Sequence, residues 1–311
     1  VFTTTEQQAL LAKFDELATR EGSQNKACAK VGVKAPIISA LKKGDYPGNV
    51  EAQYSKLDSY FSAKEAQAQL PSTQMVNRDY VPTTISRDVY NTIRNCQLQG
   101  GLADICGDAG VGKTMACKRF IRDYPNDAIY IALNPCITTL RSVLRLLCNS
   151  LNISDKRSNH DMWFSIAAKL RDGMVIIVDE KQHAPVRTVD MLRSFSDFFS
   201  ERGQTLGIAM VGNIEKFGSR HGNTSEMDQI NNRTKNVRCY ETKSVMPEDM
   251  ILLFPDLADH KKEKELEFLL LVARSRQAIR GAVNLYNNAI DNGDPTYTGL
   301  VAMAKHMSLR V

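Results

Sequence analysis

The sequence predicts an α/β fold: a parallel β-sheet with helices on both faces, preceded by a small all-α region and followed by a helical end. Three observations carry this. Gly107-Asp108-Ala109-Gly110-Val111-Gly112-Lys113-Thr114 is a complete G-x-x-x-x-G-K-[ST] phosphate-binding loop. It lies between a strand-like run, Leu102-Ala103-Asp104-Ile105-Cys106, and a helix-like run, Met115 to Arg122, that places Ala116, Phe120 and Ile121 on one side. Further strand-like runs at 128–133, 174–178, 206–211 and 237–240 alternate with helical patterns at 139–151, 161–171, 186–201 and around 226–232, the alternation expected of a sheet covered on both faces. Finally, Met174-Val175-Ile176-Ile177-Val178 is apolar throughout, as a strand buried on both faces must be, and it ends in Asp179-Glu180.

From the start of the chain, Leu10, Leu11, Phe14 and Leu17 recur at helical spacing, and Ser23-Gln24-Asn25 reads as the cap of a second helix. Two short helical segments, 25–33 and 35–44, are joined by a turn at Gly32, with the small Ala29 in the first. They have the spacing of a helix-turn-helix. Ile37, Ile38 and Leu41 supply the buried side of the second helix, and Lys34, Ser39, Lys42 and Lys43 its exposed polar face, the candidate DNA-contacting set. Tyr54, Leu57, Tyr60 and Phe61 mark one more helix. A purely structural helical module fits the same pattern, because acidic and basic residues nearly balance over 1–66.

The Gln-, Ala- and Ser-rich stretch 67–79, broken by Pro71, is the expected linker. Tyr80-Val81-Pro82-Thr83-Thr84 leads into a helix from about Ser86 to Leu98, so the nucleotide domain is expected to span 80–245. A helical end at 246–311 completes the division.

The chemistry follows from residue type and place. Glycines let the loop backbone curl so that its N–H groups face phosphate oxygens, Lys113 reaches the β- and γ-phosphates, and the Thr114 hydroxyl ligates Mg²⁺. Gly107, Asp108, Ala109, Gly110, Val111, Gly112, Lys113, Thr114 and Met115 are thus the candidate nucleotide-binding residues. Asp179 holds Mg²⁺, and Glu180 polarises the attacking water as general base. The next strand ends Val211-Gly212-Asn213, which puts an amide at the carboxyl edge where such sheets bind ligands. Asn213 is a candidate for orienting the water or touching the γ-phosphate. The expected cofactors are ATP and Mg²⁺.

Composition sets bounds. With 43% hydrophobic and 24% charged residues, the chain has ample material for a packed core. A net charge of +5 permits a nucleic-acid partner without demanding one. Seven scattered cysteines without a C-x-x-C pair argue for free thiols in a reducing cytosol, and against a disulfide framework or zinc site. No apolar run reaches the length of a membrane span and no signal-like segment opens the chain, so a cytoplasmic location without a membrane partner is expected.

Phosphate loop, Asp-Glu strand, polar sensor strand and trailing arginines together resemble the AAA+ ATPases. The resemblance implies a sheet of order 5-1-4-3-2, a helical lid, and two arginine roles. One arginine reaches the nucleotide of a neighbouring subunit, with Arg233 preferred and Arg220 the alternative; the other, from the lid, is Arg280 in Gln277-Ala278-Ile279-Arg280, where the family's usual Gly is replaced by Gln277. The order of segments, with His183 three residues after Glu180, is similar to the transposition target-selection ATPases typified by the B protein of phage Mu; Lys181-Gln182 departs from the usual Ala-Asp. That resemblance implies a protein that oligomerises as a filament or ring on duplex DNA with little sequence preference, and delivers target DNA to a transposase in the host cytoplasm. Arg141, Arg145, Lys156 and Arg157 are the further DNA-contact candidates. The rival expectations are a helicase loader or replication initiator of the same superfamily, and a nucleotide-regulated helix-turn-helix transcription regulator.

Overall fold

The computed structural model describes residues 2–20, 22–69, 80–213, 234–258 and 262–309. Contacts divide the chain into two compact units, Val1–Met75 and Val76–Val311.

The first unit is four helices: α1 (Thr4–Arg20), α2 (Gln24–Val31), α3 (Ala35–Lys43) and α4 (Val50–Gln69). Its core gathers Leu10, Phe14, Leu17, Val31, Ile38, Leu41, Leu57 and Phe61. Helix α2 ends at Gly32, whose φ of 73° closes the turn into α3 with its N–H donated to the Cys28 carbonyl. Ser23 stands at the N-cap of α2 without making a side-chain cap bond. Helix α4 extends to Gln69, so the first three positions of the expected linker are helical, and 70–79 lie outside the described residues.

In the second unit α5 (Thr84–Gln99) leads into β1 (Gly101–Gly107), followed by α6 (Lys113–Asp123), β2 (Ala128–Ala132), α7 (Leu140–Ser150), α8 (Asn159–Lys169), β3 (Met174–Asp179), α9 (Val186–Ser200), β4 (Leu206–Gly212) and β5 (Thr234–Tyr240). The lid is α10 (Pro247–Leu253), α11 (Glu263–Arg274), α12 (Ala278–Asp291) and α13 (Tyr297–His306). All pairings in the five-stranded sheet are parallel, and its order is β2-β3-β4-β1-β5, the expected 5-1-4-3-2 read from the other edge. The helix expected around 226–232 falls outside the described residues.

Every residue of β3 and β4 is buried. Their side chains alternate between two cores. Val175, Ile177, Ala209 and Val211 pack with α5, α6 and the lid, while Ile176, Val178, Ile208 and Met210 pack with α7, α8 and α9. Burying one such Ile or Val contributes roughly 1.5–3 kcal/mol, so the two central strands are the best-anchored part of the sheet. Edge strand β5 is mostly exposed, with only Tyr240 buried.

Candidate functional site: a phosphate loop facing the Asp-Glu strand

The carboxyl ends of β1, β3 and β4 lie side by side, so the loops leaving these three strands meet one another. β1 runs out at Gly107 and the loop turns at Gly110 and Gly112, whose φ values of 85° and 106° belong to the left-handed region that side-chain-bearing residues resist. Gly112 is the N-cap of α6, and Lys113 is its first residue. Val111 points the other way and is wholly buried in the core, which fixes the loop from beneath. Asp108 also faces away: its carboxylate accepts from the Thr242 N–H at 2.7 Å, tying the loop to the segment after β5.

Lys113 is buried, and its ammonium donates to the carbonyls of Gly107 (2.8 Å) and Asp108 (2.7 Å). Burial pulls its pKa below the usual lysine value, opposed by the negative charges of Asp179 and Glu180. The Thr114 hydroxyl donates to Asp179 Oδ2 at 2.8 Å, although 65 residues separate the two in sequence. The Tyr130 phenol on β2 donates to the same oxygen at 2.9 Å, and the Glu180 N–H donates to Oδ1 at 2.9 Å. Burial, then the Asp179 charge, pushes the Tyr130 phenol far up, so it remains a donor at any ordinary pH. Two hard oxygen donors, Thr114 Oγ1 and Asp179 Oδ2, at hydrogen-bond distance beside a phosphate loop fit Mg²⁺, which binds through one or two such groups and completes its shell with water and phosphate.

Glu180 adopts φ 59°, ψ 42°, a left-handed conformation that costs a non-glycine residue about 1 kcal/mol. Its carboxylate accepts from the Gln182 amide, and the Gln182 carbonyl in turn accepts from the Asn213 N–H at 3.2 Å. Glu180 and Asn213 are therefore joined through one side chain. Lys181, beside them, is fully buried and paired with Asp104 of β1. Burial pushes the Asp104 carboxyl up more strongly than the Lys181 ammonium draws it down.

A cavity of about 570 Å³ opens from the loop, within the range of small-molecule sites. Ala109, Gly110, Gly112, Lys113, Thr114, Met115, Asp179, Glu180, Asn213 and Arg280 all line it. Gly107, Asp108 and Val111 do not. Sequence reasoning missed Lys118, one turn into α6 on the cavity side, and the apolar wall of Val81, Leu253, Ile279 and Val283. Val81 sits in the Tyr80–Thr84 lead-in; Leu253 and Val283 carried no local signal. The lead-in and the lid's first helix are locked together by buried Asp249, which accepts from the Thr84 N–H (2.6 Å) and the Met246 N–H (3.0 Å).

At the lid, the left-handed residue is Ala278 (φ 55°), next to Gln277, which stands where the family has Gly and is itself right-handed. The Arg280 N–H donates to the Gly110 carbonyl at 3.2 Å, and a Cβ built on Gly110 would come within 3.1 Å of Ala278 Cβ. Arg233 and Arg220 lie outside the described residues. Of the proposed DNA-contact residues, Lys34, Ser39, Lys42, Lys43, Arg141, Arg145, Lys156 and Arg157 are all exposed. Several nonetheless have intramolecular partners: Lys42 pairs with Asp15, Arg145 with Asp155, Arg141 bonds Asn159 and the Arg157 carbonyl, and Arg157 bonds Ser165.

The AAA domain family model matches residues 97–217, from the end of α5 past β4. Cdc6p of Pyrobaculum aerophilum superimposes with a TM-score of 0.50 at 17% identity, over 76% of this chain and 69% of that one. The chain shares the fold of that structure and carries an AAA domain over the matched residues. In sequence the chain resembles the Mu B group: the Mu-like prophage FluMu DNA transposition protein B of Haemophilus influenzae is 29% identical over 213 residues, covering 67% of this chain and 70% of that protein. The ATP-dependent target DNA activator B of Escherichia phage Mu is 24% identical over 254 residues, covering 80% and 77%. No described helix is long and apolar enough to cross a membrane.

Proposed function

We propose that this protein is an ATPase that binds duplex DNA with little sequence preference, oligomerises on it, and delivers target DNA to a DNA transposase that it activates. One observation carries the reading. The part-buried Thr114–Asp179 contact joins the phosphate loop to the Asp-Glu strand in a chain similar to a protein named for ATP-dependent activation of target DNA.

Within this reading Lys113, Thr114 and the backbone N–H groups of 109–114 bind the triphosphate, and Arg280 approaches it from the lid. Thr114 and Asp179 hold Mg²⁺, which supplies charge neutralisation to the phosphates when bound. Glu180 takes a proton from the attacking water, and Asn213 orients that water. In the present conformation Glu180 Oε2 accepts from the Gln182 amide. Arg233, or failing it Arg220, completes a neighbouring subunit's site. ATP at that interface holds the oligomer on DNA, and hydrolysis releases it. DNA contacts are assigned to phosphates, through the exposed lysines of α3 and the basic residues of α7 and the 156–157 loop, because charge summed over many subunits compensates for a modest charge per subunit.

The test compares binding to random duplex, single-stranded and operator-like DNA with ATP and with ADP. The reading expects ATP-dependent, salt-steep binding to any duplex. Preference for single strand, or a footprint confined to one short site, counts against it.

A further inference from the structure

Glu180 and Asn213 both line the cavity, and the side chain that joins them, that of Gln182, is not part of its wall. Gln182 sits in a 3-10 turn, Lys181–His183, that follows β3 and Glu180 directly. Backbone bonds close the turn, from the His183 N–H to the Glu180 carbonyl at 3.0 Å and from the Ala184 N–H to the Lys181 carbonyl at 2.8 Å. The ion pair of buried Lys181 with Asp104 ties the turn to β1. Against β4 it packs closely: a Cβ built on Gly212 would come within 2.6 Å of Gln182 Oε1. Any side chain at 212 would push the amide off the strand end, so a glycine at this place is what lets Gln182 reach it.

The bonds settle which way the amide points. A backbone N–H can only donate, so the Gln182 oxygen faces the Asn213 N–H, and the NH2 group is turned to Glu180, where it donates to Oε2. The second carboxylate oxygen, Oε1, accepts no hydrogen bond among the described residues. One oxygen of Glu180 is thus tied to a strand buried along its whole length, and the other is left open in a residue that lines the cavity. An unsupported glutamate side chain turns about several bonds and spreads its oxygens over many positions. A hydrogen bond from a group that is itself anchored removes much of that freedom.

We propose that Gln182 is a positioning residue for hydrolysis: it fixes the Glu180 carboxylate to the end of β4, with Oε1 directed at the attacking water. The inference rests on the ATPase reading above, in which Glu180 is the base. Proton transfer needs the base within hydrogen-bond reach of the water, and a misplacement of about 1 Å costs on the order of 10²-fold in rate. Gln182 touches neither water nor nucleotide in this arrangement. Its whole effect passes through Glu180, and ATP binding does not depend on it.

Two substitutions separate the two ends of the amide. Gln182→Met keeps the length and bulk of the side chain and removes both bonds. Gln182→Glu keeps an acceptor for the Asn213 N–H and puts a carboxylate oxygen where the donor to Glu180 was. Steady-state ATP hydrolysis by the full chain on random duplex DNA, and displacement of a fluorescent ATP analogue by ATP, are measured for each. Both variants should lose kcat by about tenfold or more, with ATP affinity within about twofold of wild type. The glutamate variant carries the test if the methionine variant folds poorly. In a Glu180→Gln background, where no carboxylate remains to be positioned, adding Gln182→Met should lower the residual rate no further. Wild-type or raised kcat in a folded variant, a loss confined to ATP affinity, or a full further loss in the Glu180→Gln background overturns the inference and leaves the ATPase reading standing. A wild type that hydrolyses no ATP, with or without DNA, overturns the ATPase reading and this inference with it.

Discussion

The four-helix unit at the start of the chain packs a single core around Phe14, Ile38 and Leu57, whereas the α/β unit packs two, one on each face of its sheet. They differ most in what else they bury. Among the described residues every buried polar or charged side chain lies in the second unit, including Lys113, Asp179, Lys181 and Asp249. A helical bundle spends each apolar stripe on its one core and turns its charges outward. A sheet covered on both faces buries whole strands, and where those strands stop their last side chains are held in a low-dielectric rim with fixed geometry. Polar groups there are costly unless paired, and here Lys181 pairs with Asp104 while Asp179 accepts from Thr114 and Tyr130.

This contrast places catalytic and electrostatic sensitivity in one unit and backbone sensitivity in both. The largest expected effect is Glu180→Gln, which removes the proposed base while keeping the shape of the side chain. ATP turnover should fall roughly 10²–10⁴-fold with ATP binding retained, as measured by steady-state phosphate release against equilibrium binding. DNA complexes of this variant should be longer-lived than wild type in excess ATP; unchanged dissociation means that hydrolysis is not the release step.

Next comes Asp104→Asn, which removes the carboxylate facing buried Lys181. It should cost the α/β unit about 3 kcal/mol, visible as a lower denaturant midpoint for that unit alone, and Asp104→Leu with Lys181→Met together should recover most of the loss. A double variant as unstable as the single one would mean that the pair itself stabilises. Lys113→Ala deletes charge-assisted bonds to phosphate worth roughly 1.5–3 kcal/mol each and should bring ATP affinity down at least tenfold, with ATP-dependent assembly on DNA lost. Retained ATP-dependent DNA binding would sink the proposed mechanism. The smallest effect belongs to the first unit. Gly32→Ala meets no steric obstacle but must hold φ at 73°, so the helical unit should lose about 1 kcal/mol while ATP hydrolysis stays at the wild-type rate. A drop in hydrolysis would show that the units are energetically coupled.

Legibility in the sequence divides along the same line. The apolar run 174–178 announces β3, because a strand buried on both faces has no alternation to disguise it, and the full phosphate-loop pattern announces β1 and α6 around it. The apolar pattern marks β5 only at 237–240 although the strand starts at Thr234, since an exposed edge strand carries little hydrophobic signal. What the sequence could not display was pairing across distance. Nothing local says that Tyr130 bonds Asp179, that Gln182 bridges Glu180 and Asn213, or that Lys181 turns inward to Asp104. A lysine and a glutamine after an acidic pair read as solvated loop residues until the strand ends are set side by side. Ala278 in a left-handed conformation was equally hidden, because the glycine that would advertise it is absent.

The left-handed backbone of Glu180 has a consequence for anyone who engineers this protein. A library screened only for heat resistance will find glycine or asparagine at this position attractive, since either relaxes the backbone, and asparagine keeps a polar side chain in the site. Both delete the carboxylate on which the proposed hydrolysis depends. Selection for durability and selection for turnover therefore pull position 180 in opposite directions, and thermostable variants obtained without an activity screen should accumulate inactive substitutions there.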